Sequence, residues 1–388
     1  MKAKLALLLA GIVVSLPAHA HVKWFSMMAN CTSTPITTFD LISTPLFVGL
    51  AVAAFAAMYA VAAIDGRISR GDNPAVRAAA WVDHEAANLI APLLRVGVAI
   101  YFATIAVYFY GSPIILTVEL KTDATWVPVL QLAIAAAVLV RRSAILAALG
   151  IVVLFAFSVS RYGVFHMLDY PFFLGVAAFL SIDSIYGQQR LLQGLGILRV
   201  TVGFSLLWCA VEKWLYPGWT YELLQSDLRV MLATGLSPAL IVMGAGFVEF
   251  CLAFALIFGR LASQIAAAVL LSVMISAIPV VGTLDLIGHL PILVVLIILA
   301  ATRNPIGRTA PEPGKRWSNF DVAFSFIVSV PGLIAAYYLS HEIVYGAVGK
   351  LNWTEGLVAG VLLALLLFRI LQTAPDNFSQ VYRLARAG

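Results

Sequence analysis

The chain has 388 residues, of which 62% are hydrophobic and 11% charged, with a net charge of +5 and a mean hydropathy of +0.98. That balance excludes a soluble globular protein and assigns the chain to the multi-pass membrane class, with the lipid bilayer as its first partner. The small basic excess is expected of cytoplasmic loops and calls for no nucleic-acid partner.

Met1 to Lys4 is a short basic region, Leu5 to Leu16 an aliphatic core and Ala18-His19-Ala20 a small-residue cleavage pattern. Residues 1–20 therefore read as a secretory signal peptide. Cleavage after Ala20 makes His21 the mature N-terminus. The exported stretch HVKWFSMMANC carries His21, Met27, Met28 and Cys31, with Trp24 and Phe25 expected as an interfacial anchor. A free N-terminal histidine offers an amine and an imidazole, which suits copper when a second histidine joins it.

Downstream, about eleven runs are long enough to span the hydrocarbon core as helices. They fall near 46–64, 88–110, 127–140, 143–160, 170–186, 195–214, 238–258, 262–280, 286–301, 320–339 and 354–371. Backbone groups in lipid must be satisfied within the segment, so the expected fold is an all-α polytopic bundle. An exported N-terminus leaves only Lys23, Lys121, Arg161, Lys213, Arg229 and Lys350 on the outer side of the mature chain. The other lysines and arginines face the cytoplasm, which is the positive-inside pattern of a bacterial inner-membrane protein with a cytoplasmic C-terminus. Cys31, Cys209 and Cys251 are scattered and form no CxxC, which argues against a dithiol redox centre.

Placing Arg95 on Arg199 aligns LLRVGVAIYFATIAVYFYGSP with ILRVTVGFSLLWCAVEKWLYP and brings Pro113 onto Pro217. Placing Arg142 on Arg260 sets Gln131 opposite Glu249, and a five-residue length difference later His166 meets His289. The chain is read as a leader (1–20), an exported segment with a first helix (21–83), two four-helix units (84–190 and 191–304), and a linker with two helices and a basic tail (305–388). Four helices are an even number, so the units insert in parallel.

Ionisable groups at bilayer depth are expensive unless they are paired or face a polar cavity, so they mark function. Arg199, Glu212, Lys213 and Glu249 form the expected buried polar cluster. Glu212 and Lys213 are adjacent on a helix and point apart, so Lys213 or Arg199 is the cation available to Glu249. Asp285 and His289 stack four residues apart, and His166 and Asp169 lie three apart. His341 opens the exported loop before the last helix. His21, His166, His289 and His341 thus share one side, as a candidate metal set with Asp169 and Asp285 orienting the imidazoles. The connection 217–237 is expected to lie in the interface through Trp219, Tyr221 and Met231, or to act as a lid.

The second unit resembles the DoxX family of small four-helix bacterial membrane proteins. The resemblance rests on Arg199 opening the first helix, Gly203 with Phe204, Lys213 before Pro217, Glu249, and Gly259 with Arg260. The first unit departs from that pattern, with Phe109 in place of the lysine and Gln131 in place of the glutamate. The resemblance implies a helical-bundle fold and links to thiosulfate:quinone oxidoreductase or to accessory proteins of redox and metal stress. Three readings follow. The leading one is a periplasm-facing copper site for metal handling or supply; the rivals are a quinone-binding oxidoreductase subunit and a non-catalytic scaffold for other membrane or periplasmic proteins.

Overall fold

The computed structural model describes residues 24, 26, 29–30, 32–68, 74–226, 229–304, 319–346 and 360–361. The expected signal peptide, His21, Cys31, the linker 305–318, most of the span at 354–371 and the basic tail lie outside the described residues. Within them the chain is an all-α bundle. After a short α1 (Thr38–Ile42), the elements are α2 (Pro45–Ile68), α3 (Pro74–Ala86), α4 (Ile90–Tyr108), α5 (Trp126–Leu139), α6 (Ala144–Tyr162) and α7 (Pro171–Tyr186). Then come α8 (Leu191–Leu215), α9 (Pro217–Gln225), α10 (Arg229–Leu232), α11 (Pro238–Phe258), α12 (Leu261–Val281), α13 (Thr283–Ala301) and α14 (Asn319–Tyr345).

Among the described residues, eight apolar helical stretches are long enough to cross a membrane. One of them, Pro171–Leu215, runs for 45 residues and contains two of the expected spans. A 3-10 turn over Gly187–Arg190 folds it into the α7/α8 hairpin, whose arms pack closely. The expected span at 127–140 is a helix of only 14 residues, Trp126–Leu139.

The helix neighbours repeat. In residues 84–190, α4 packs on α5, α5 on α6 and α6 on α7; in residues 191–304, α8 packs on α11, α11 on α12 and α12 on α13. The two sets are joined reciprocally, with α7 against α8 and α13 against α4. Flanking helices α2 and α14 pack on each other, and both lean on the second set, α2 on α11 and α14 on α8.

One end of the bundle is held by arginines and helix caps. Arg95 pairs with Asp183 of α7 at 2.5 Å, and Arg199, about two turns into α8, binds Ser263, the Leu299 carbonyl and Thr302 at the end of α13. Each arginine thereby fastens its set's first helix to its last. The buried Asp65 carboxylate at the foot of α2 accepts the backbone N–H groups of Arg260, Leu261 and Ala262 at 2.8–3.1 Å. It satisfies donors that the first turn of α12 cannot pair internally, and its charge suits the positive end of the helix dipole.

Candidate functional site

At the opposite end the ionisable groups gather. Lys213 stands in the last turn of α8 and Glu249 near the middle of α11, both almost fully buried. The ammonium bends inward, against the outward snorkelling open to a lysine at a helix end, and its Nζ lies 2.5 Å from Glu249 Oε2. The helices approach closely enough because Gly203 and Gly246 face neighbours without a side chain; a Cβ there would meet Ile257 at 2.3 Å and the Trp214 indole at 2.3 Å. Glu249 Oε1 is buried and has no hydrogen-bond partner among the described residues. Glu249 also lies within electrostatic reach of His289 and Glu212.

Glu212, one residue before the lysine, turns the other way and accepts the Tyr337 hydroxyl of α14 at 3.0 Å. Tyr337 in turn packs its ring against Trp208 and Phe165 at 4.8 and 4.9 Å. Helix α14, outside both four-helix sets, therefore contributes to the cluster. Arg199 does not belong to it. Its guanidinium is engaged with Ser263 and Thr302 toward the other end of α8, about four turns and roughly 21 Å from Lys213 at about 1.5 Å rise per residue.

The three described histidines of the candidate metal set each meet a carboxylate. His289 Nδ1 lies 2.9 Å from Asp285 Oδ1, while the same nitrogen is aligned on the Asp285 carbonyl oxygen at 3.1 Å, so the carboxylate is held by proximity more than by a directed bond. His166, in the 3-10 turn His166–Asp169, meets Glu119 at 3.1 Å. The carboxylate orienting that ring is thus Glu119, from the loop between α4 and α5, instead of the expected Asp169. His341 Nδ1 lies 3.7 Å from Glu342, its ring edge-on to Phe165 at 5.4 Å. Among the described residues, no three His, Cys, Asp or Glu side chains group as a metal site.

Trp24 joins two of these histidines. Its ring lies 4.8 Å from that of His289, and its indole N–H donates to the Tyr170 hydroxyl at 2.8 Å. That hydroxyl donates to Glu119, the partner of His166. Burial holds the Tyr170 phenol well above its ordinary range, and the Glu119 charge pushes the same way. The expected interfacial anchor is therefore a packed contact: Trp24 reaches inward because its N–H finds a buried acceptor. Trp219 and Met231 are likewise buried instead of lying among headgroups, and Trp219 stacks on Tyr216 at 4.2 Å.

The corresponding place in residues 84–190 is neutral and closed. The Gln131 amide donates to the carbonyls of Ile114 and Ile115 at 2.6 and 3.0 Å, and Tyr101 donates to the Leu116 carbonyl. A loop pinned by the Ile114–Lys121 bridge thus fills the space over Gln131. Glu119 and Tyr337 escaped the sequence reading. Glu119 sits in a polar loop without a motif, and only the pair Tyr337-Tyr338 inside an apolar run hinted at a hydroxyl needing a partner.

The fold and the cluster define a multi-pass helical membrane protein with charged groups buried in its core. Comparison with protein-family models, characterised proteins and solved structures finds no match in any of the three.

Proposed function

We propose that this is an inner-membrane protein whose second four-helix unit exchanges protons with a lipid-soluble redox substrate of the quinone class at the Lys213–Glu249 pair. The supporting observation is the pair itself, an ammonium 2.5 Å from a carboxylate whose second oxygen is buried with no hydrogen bond among the described residues. Such a carboxylate retains acceptor capacity for a hydroxyl, and the ammonium beside it is a donor for a carbonyl. A quinone headgroup presents the carbonyl in its oxidised form and the hydroxyl in its reduced form. Ionisable groups kept at this depth carry a desolvation cost that a proton-handling site justifies. The DoxX-like pattern of Arg199, Lys213 and Glu249 agrees with this reading, and the neutral Phe109 and Gln131 put the chemistry in residues 191–304 alone. The test is titration of the purified protein with decylubiquinone, followed by tryptophan quenching. Glu249→Gln and Lys213→Met are expected to weaken binding about ten-fold or more, the loss of a charge-assisted hydrogen bond. Unchanged binding in both sinks the proposal.

A second reading has its own observation. Each of His166, His289 and His341 faces a carboxylate, the arrangement that orients imidazole ligands in metal sites. This supports an exported copper site, tested by metal analysis of the purified protein. Copper that survives substitution of both His21 and His289 removes it.

A further inference from the structure

We propose that Trp24 is a plug that closes the histidine end of the bundle over His289. Three independent features form the seat. The ring lies on the His289 imidazole at 4.8 Å, and the N–H is fixed on Tyr170 at 2.8 Å. The third is a notch at Gly288, where an added Cβ would come within 2.4 Å of the indole. Any side chain at 288 would push the ring off its seat.

The plug bridges the two halves of the molecule, since Tyr170 precedes α7 and Gly288 and His289 belong to α13. Its tether is tied down on the same face. Ser26 donates to Glu222 of α9, Tyr216 donates to the Ser33 carbonyl at 2.8 Å, and the Ile36 N–H donates to the Leu215 carbonyl at 3.2 Å. Ser33 and Ile36 therefore sit at the end of α8, Ile36 on the carbonyl two residues beyond Lys213. Trp24 lies outside every α-helix of the bundle, so its ring can leave this seat without unfolding one, and its position controls access from this end.

The inference rests on the proposed exchange site for its purpose, but its test reads closure alone. Diethyl pyrocarbonate, a small histidine reagent, is applied to the detergent-purified full chain and the modified residues are mapped by mass spectrometry. His289 is expected to be protected in the wild type, to react about ten-fold faster or more in Trp24→Ala, and to stay near the wild-type rate in Trp24→Phe, which keeps the ring. Exposed His84 gives the unprotected rate and buried His341 reports on general loosening. Equal rates at His289 in wild type and Trp24→Ala overturn the plug. So does a rise shared in equal measure by His341. Loss of decylubiquinone binding would leave this result intact, and the reverse also holds.

Discussion

Glu212 and Lys213 are consecutive in the chain, yet α14 holds the first through Tyr337 and α11 holds the second through Glu249. One helical step thus ties three helices together, with a buried ion pair on one side and a neutral hydroxyl donor on the other. A buried pair is weak evidence for stability but a sensitive point of failure.

Removing one partner strands the other. Lys213→Met leaves Glu249 buried and uncompensated and is expected to cost about 3–5 kcal/mol, whereas Lys213→Met with Glu249→Leu is expected to fall within about 1–2 kcal/mol of the wild type. Unfolding in mixed detergent micelles measures both. A double variant as unstable as the single one would contradict the pairing.

The equivalent position in residues 84–190 tolerates no charge. Gln131→Glu turns an amide donor toward the Ile114 and Ile115 carbonyls into an acceptor. The expected loss is about 1–3 kcal/mol, with decylubiquinone binding unchanged. Stability equal to the wild type would show that the loop does not seal this half.

Asp65 caps α12 from another helix, accepting three N–H groups. Asp65→Asn keeps the shape but loses the charge, and is expected to cost about 1–2 kcal/mol, read as a lower thermal midpoint. A midpoint within error of the wild type would reduce the cap to a bystander.

Tyr170 sets an alkaline limit. Its folded pKa is raised by burial and then by Glu119. The stability linked to the phenol is therefore fully present below the unfolded value of about 10 and is lost as pH rises through the folded value. The wild type is expected to lose stability above pH ~10 more steeply than Tyr170→Phe, with phenolate absorbance of Tyr170 appearing only on unfolding. Parallel alkaline curves for the two proteins would contradict this.

The apolar runs and the price of charge in lipid were enough to read the helices and to narrow the partner of Glu249 to Lys213 or Arg199, of which the structure shows Lys213. Arg199 was misplaced because the sequence records its distance from Lys213 only as residue number, while a helix puts the two at opposite ends. Tyr337, Glu119 and Trp24 were missed as site residues for a related reason. Tyr337 and Trp24 reach their hydrogen-bond partners across more than a hundred positions and Glu119 across about fifty, and nothing local distinguishes an aromatic that only packs from one that donates a hydrogen bond. The double role of Glu212 and Lys213 was half legible: adjacency forbade mutual pairing, but only packing of α14 showed where the glutamate goes.

The reciprocal joins, α7 on α8 and α13 back on α4, have a consequence for assembly. Each set of four uses its first and last helices to grip the other, so two separate helix contacts hold the sets together besides the chain itself. Cutting the chain in the Gly187–Arg190 turn removes one covalent link and leaves both clasps intact. Such halves, made separately in one cell, are placed by this geometry to find each other in the bilayer, while either half alone would expose two gripping surfaces to lipid.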